Sequence, residues 1–165
     1  MHLAQLDNGQ VLYVSKRNAV QPVDMYAQAG KVGPAYCTGI GKAMLAHLPQ
    51  AERDRALQQQ SFHAHTDRTL SDPAALVAEL ARIARRGFAR DREEHEPGIV
   101  CVAVPVLGRG GRLLGGLSVT GTTRSPGLAA LEAHVPALQA TAAAIAQEAE
   151  AWRFPQADPI PQKGE

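Results

Sequence analysis

No stretch of this 165-residue chain approaches the roughly 20 consecutive apolar residues that a bilayer crossing needs. The opening Met1-His2-Leu3-Ala4 lacks the basic segment and apolar run of a secretory signal, so the cytoplasm is the expected compartment and no membrane contact is expected. Cysteine is nearly missing. Cys37 and Cys101 are the only two, a count that suits reduced thiols better than a disulfide framework. Nor is there a surplus of charge: 17 Lys and Arg against 16 Asp and Glu leave a formal net charge of +1. That is too little for a surface built to grip phosphates, so the chain alone is not expected to bind DNA. Arg82, Arg85 and Arg86 are interleaved with acids and read as a solvated helix face. Internal repeats and an interdomain linker are missing too. What remains, 17.5 kDa with 45% hydrophobic residues, is enough for one domain with its own core.

The elements follow from local chemistry. Leu3 to Leu6, the turn residues Asp7-Asn8-Gly9, and Val11 to Val14 predict a hairpin, and Val23 to Ala29 another strand before Gly30 and Gly33-Pro34. Thr38 caps a helix that starts at Gly39-Ile40-Gly41 and stops at Pro49; a short helix covers Ala51 to Gln58, and Ser61 to Thr69 is an irregular connection. Asp72 as N-cap, Pro73 at the first position, and Leu76, Val77, Leu80, Ile83 and Ala84 at helical spacing predict a helix that Gly87 ends. Phe88 to Arg92 reads as a strand, Ile99 to Leu107 and Arg112 to Gly121 as a strand pair around Gly108 to Gly111, and Leu128 to Trp152 as an Ala-rich helix that Pro136 kinks or divides. Residues 153–165, with Pro155, Pro159 and Pro161, have too little apolar material to pack and are expected to form a flexible tail after a domain of residues 1–152. Short hairpin loops imply a mainly antiparallel sheet flanked by helices, an α/β fold of the α+β kind.

Chemistry concentrates in three places. On the strand pair, Val100, Val102, Val104 and Val106 share one face with Leu117 and Val119 if the register matches, leaving Cys101, Ala103, Gly116, Ser118 and Thr120 on the other. Small and hydroxyl-bearing residues there fit either a pocket or a closely packed helix. The Gly39-Ile40-Gly41 turn points unpaired amides at whatever precedes the helix, a setting that favours an anion. It is no phosphate loop, because Tyr36 and Ala43 stand where a Walker A motif needs Gly and Ser or Thr, and Met44 occupies the third glycine of a dinucleotide motif. The run Asp91-Arg92-Glu93-Glu94-His95-Glu96 lies between strands and reads first as a solvated loop. A metal set drawn from Asp91, His95 and Cys101, or from His63 and His65, lacks strong ligand spacing, so no metal or other cofactor is expected. No base is placed to activate Cys101, and no Gly-x-Ser-x-Gly elbow occurs, so no catalytic residue is assigned.

Taken in order, Tyr36-Cys37-Thr38-Gly39-Ile40-Gly41-Lys42-Ala43-Met44-Leu45-Ala46, then Arg86-Gly87-Phe88-Ala89 through Asp91, Glu93, Glu94, Pro97-Gly98-Ile99 and Cys101 to Val106, and finally Leu117-Ser118-Val119-Thr120-Gly121 resemble the effector-binding domain of IclR-type transcriptional regulators. The resemblance implies a GAF-like fold and sensing of small metabolites without catalysis. It further implies assembly as a homodimer or homotetramer, and DNA contact only through a winged helix-turn-helix that this chain does not include. In relatives that bind small oxo acids the ligand meets two amides at a helix start, an aspartate, a cysteine and two hydroxyls. These roles fall on Gly39 and Ile40, Asp91, Cys101, Ser118 and Thr120, with Met25 and Ile99 as apolar walls. Thr120 departs from the more usual serine, and its methyl narrows the pocket. The set holds no Lys or Arg, so a small carboxylate (an oxo, hydroxy or sugar acid) would rest on amides and hydroxyls with modest affinity. Two other readings stay open: a thiol enzyme of GAF-like fold using Cys101, and an assembly domain with no ligand.

Overall fold

Asn8 and Gly9 take φ of 46° and 74°, the left-handed pair a two-residue hairpin turn demands. They join β1 (His2–Asp7) to β2 (Gln10–Lys16) in the computed structural model, which describes residues 1–151. The expected strand at Val23 to Ala29 does not form. There the Tyr26 amide donates to the Glu96 carboxylate instead of a strand ladder, and the third strand, β3, is the short Val32–Pro34 beyond it. Residues 17–31 thus cross the molecule as an irregular strap.

Thr38 accepts the Gly41 amide and caps α1 (Gly39–Leu45). After α2 (Gln50–Gln58), α3 (Pro73–Arg86) begins where Asp72 accepts the amides of Ala74 and Ala75 and ends at Gly87, φ 80°, as its signals predict. Its arginines divide. Arg82 and Arg85 face solvent as expected, but Arg86 does not: it binds Glu79 at 2.8 Å and the Phe88 carbonyl at 2.6 Å. Then come β4 (Ala89–Arg92), β5 (Ile99–Leu107) and β6 (Leu113–Thr122). Of the two outcomes expected for the long Ala-rich helix, division is the one found, giving α4 (Gly127–Glu132) and α5 (Val135–Ala151). Pro136 sits in the first turn of α5, where its missing N–H breaks no helical bond, so the break precedes it. Trp152 and the tail predicted for 153–165 lie outside the described residues.

The strands form one antiparallel sheet in the order β3-β2-β1-β6-β5-β4. Val102 pairs with Val119 and Val104 with Leu117, while Cys101 pairs with Thr120 and Ala103 with Ser118. The assumed match of faces is therefore the real register. The valine face packs under Leu131, Val135, Leu138 and Ala142 of α4 and α5. The opposite face carries α1, with Leu76, Leu80 and Ile83 of α3 in the same core.

Candidate functional site

Both readings of the small-residue face hold, at different places along it. A Cβ on Gly116 would lie 2.8 Å from Ile40 Cγ1 and 3.0 Å from Met44 Cγ, so there the strand is bare because α1 lies on it. Two and four residues on, past the start of α1, Ser118 and Thr120 face a cavity of about 410 Å³ when the solvent at its mouth is included. Its free interior is narrow, with room for about two waters.

The sheet supplies the floor. Asp91, Cys101 and Thr120 stand side by side on β4, β5 and β6, and one step along the strands Ser118 stands beside His2 of β1. Gly39 and Ile40 form one wall, Ile99 another, and Met25 with Tyr26 of the strap the roof. Each of the eight residues assigned from the sequence (Met25, Gly39, Ile40, Asp91, Ile99, Cys101, Ser118 and Thr120) lines this one cavity. The glycines of the Gly39-Ile40-Gly41 turn serve close approach, not unusual dihedrals, since neither has positive φ. A Cβ on Gly39 would lie 2.5 Å from Cys101 Sγ and 3.3 Å from Asp91 Cβ; one on Gly41 would strike the Ala35 backbone.

Electrostatics set the cavity apart from an ordinary core. Burial, reinforced by the charge of Glu94, raises the Asp91 carboxyl from 3.8 to about 7. Its Oδ1 accepts the Glu94 amide at 2.9 Å, and the Gly39 amide faces the same carboxyl. Around neutrality Asp91 is thus divided between a proton donor and an anion. The Cys101 thiol, only 6% exposed and beside Asp91, is pushed far above the ordinary thiol range by burial first and by Asp91 second. It is a neutral thiol at pH 7, unfit for nucleophilic attack. Among the described residues, no Lys or Arg lines the cavity. Lys42 of α1, whose charge acts on Asp91 and Cys101, is buried and bound to both carboxylate oxygens of Glu94.

The charged run after β4 departs from a solvated loop. Glu94 is 4% exposed and ties the loop to α1, Glu93 accepts the Gly98 amide at 2.8 Å, and Glu96 holds the strap through Tyr26. Thr66 and Thr69 donate to the carbonyls of Glu93 and Glu94, stitching the 61–69 connection beneath. His63 and His65 are therefore in irregular chain and not on a strand face. Their rings form a string with His95, whose ring lies 4.8 Å from that of His65 and reaches the cavity lip. Among the described residues no group of three or more His, Cys, Asp or Glu is arranged to hold a metal ion.

The cavity also contains residues that sequence reasoning missed: His2, Tyr13, Tyr26, His95 and Glu96. One signal was present. The alternation His2, Ala4, Leu6 puts a histidine at a core-facing position of β1, where a polar side chain calls for explanation.

The model for the IclR C-terminal region of bacterial transcriptional regulators matches residues 1–147. The chain is 37% identical over 122 residues to the HTH-type transcriptional regulator BhcR of Paracoccus denitrificans, covering 74% of this chain and 44% of that protein. It is 32% identical over 148 residues to KdgR of Escherichia coli, covering 90% and 56%. The crystal structure of Thermotoga maritima IclR superposes with a TM-score of 0.83 at 31% identity, over 89% of this chain and 60% of that one. The chain thus spans about half the length of the curated relatives it matches. With the fold, the cavity and this likeness in agreement, the chain belongs to the IclR family of transcriptional regulators, in which it corresponds to the C-terminal, effector-binding domain.

Proposed function

We propose that the cavity is the effector site and that it takes a small organic acid of the oxo, hydroxy or sugar-acid kind. One observation carries the reading: Asp91, Cys101, Ser118 and Thr120 of the sheet and the Gly39-Ile40 turn converge on a single buried space that, among the described residues, is lined by no Lys or Arg. The carboxylate rests on the Ile40 amide and the hydroxyls of Ser118 and Thr120, and Asp91 meets the ligand as a protonated carboxyl or accepts a ligand hydroxyl. Without a bidentate guanidinium, affinity falls in the micromolar to millimolar range, about 4 to 8 kcal/mol. Occupancy biases a DNA-binding domain in the same polypeptide through unequal affinity for two conformations. The working unit is a cytoplasmic homodimer or homotetramer, whose state light scattering measures.

The thiol-enzyme reading loses support from the neutral, buried Cys101. Calorimetry with oxo, hydroxy and sugar acids tests the receptor reading. Binding that weakens in both Ser118→Ala and Asp91→Asn supports it; binding unchanged in both removes these residues from the site. No thermal shift with any acid in excess favours an assembly domain instead.

A further inference from the structure

A ligand held only at Gly39, Asp91 and the two hydroxyls leaves one corner of the cavity unused. That corner is His2. It lies on β1 directly beside Ser118, three strands from Asp91, with its ring edge-on to Tyr13 at 5.7 Å between centroids. The residue is 3% exposed and lines the cavity, yet its Nε2 is buried without a hydrogen-bond partner. Two other buried side-chain atoms share that condition among the described residues, on Arg53 and Gln60, and neither residue touches the cavity. A buried nitrogen left unpaired is costly, and folded proteins keep few of them. In a ligand cavity the expected partner is the ligand.

Resting on the reading of the cavity as an organic-acid site, we infer that His2 determines which acid it accepts, by hydrogen-bonding through Nε2 a ligand hydroxyl on the β1 side of the cavity, beside Ser118 and away from Asp91. Burial holds the imidazole well below its usual value, at about 4, so it is neutral at pH 7 and offers no charge to a second carboxylate. A hydroxyl suits either tautomer of a neutral ring, because it both donates and accepts, whereas a second anion would sit among Asp91 and Glu96 with no Lys or Arg of the described residues lining the cavity to pair it. The preferred class is therefore the monocarboxylic hydroxy acid. Its deoxygenated counterpart binds more weakly because Nε2 then stays unpaired in the complex.

The test uses matched acids that differ by hydroxyls, 4-hydroxybutyrate against butyrate and gluconate against hexanoate, by calorimetry at pH 7. The proteins are the full chain and its His2→Phe, His2→Gln and His2→Asn variants. The wild type is expected to prefer a hydroxy acid over its partner by about tenfold or more. His2→Phe keeps the ring's bulk and removes the nitrogen, so it abolishes that preference while melting no lower than wild type. His2→Gln, which places an amide near the position of Nε2, restores it in part; His2→Asn, too short, does not. A merely structural histidine would move the melting temperature and leave the ratio of affinities alone. Equal preference in wild type and His2→Phe overturns the role of His2 and leaves the acid site standing. Failure of every acid to bind the wild type overturns both.

Discussion

Replacing Asp91 by Asn should stabilise the domain at pH 8, the reverse of what deleting an ordinary surface or ion-paired carboxylate does. The carboxyl titrates near 3.8 in the unfolded chain and near 7 in the folded one. A group whose folded value is raised contributes its full share below the unfolded value and loses it as pH climbs through the folded one. Between about pH 4 and pH 7 the unfolded chain has released this proton and the folded chain still holds it, so stability falls with rising pH. A gap of about three pH units at 1.36 kcal/mol each puts the ceiling at about 4 kcal/mol. Asparagine does not titrate, and its Oδ1 can still accept the Glu94 amide that Asp91 now takes. Other titrating groups, Glu94 and His2 among them, remain in both proteins and largely cancel in the difference.

Urea unfolding of both proteins at intervals from pH 4 to 9 reads this directly. The variant's advantage should open between pH 4 and 7 and then level off. Ligand binding follows from the same proton. An anion beside Asp91 raises its value further, so binding near and above pH 7 takes up a proton, and affinity drops by up to about tenfold per pH unit. Calorimetry at pH 8 in buffers of different ionisation enthalpy should show a buffer-dependent heat for wild type and none for Asp91→Asn. A stability difference that stays flat across the pH range would mean that Asp91 is an ordinary ionised carboxylate, and the reasoning would fail.

Two further substitutions probe the walls. Gly39→Ala drives a methyl against Cys101 Sγ and should cost about 1–3 kcal/mol in unfolding free energy; calorimetry should find effector binding lost as the cavity closes, and Gly39→Ala/Cys101→Ala should recover most of the stability. Lys42→Met strands Glu94 in the interior and should cost about 3–5 kcal/mol by urea titration at pH 7, whereas Lys42→Met/Glu94→Leu, which removes both charges, should return most of it.

Much of this fold is legible because single residues carry strong local instructions. Asp72, Pro73 and Gly87 bound α3 to the residue, and the valines of β5 betray both its period and its covered face. Misreadings arise where tertiary contacts decide. Val23, Met25 and Ala27 alternate as a strand would, yet the Tyr26 amide goes to the side chain of Glu96, 70 residues away, in place of a strand ladder. The helix break at Ala133 and His134 precedes the proline that should have caused it, because a proline in a first turn starts a helix as readily as it stops one.

The site divides in the same way. Cys101, Ser118 and Thr120 could be gathered from strand period alone, and Gly39 with Ile40 from a capped turn, since each is fixed by residues near it in sequence. Charge could not be treated so. Lys42 and Glu94 lie 52 residues apart and meet where α1 packs on the small-residue face of β6 at Gly116, a pairing that no local pattern announces. Once they meet, Glu94 ceases to be a loop residue and becomes the fixed charge beside Asp91, which helps raise the Asp91 carboxyl toward neutrality. The hydroxyls that face the cavity are therefore written locally. The proton balance that decides whether an anion is welcome there is a property of the assembled fold, and a change at Gly116, two residues before Ser118 and packed against Ile40, should disturb binding by moving α1 and with it Lys42.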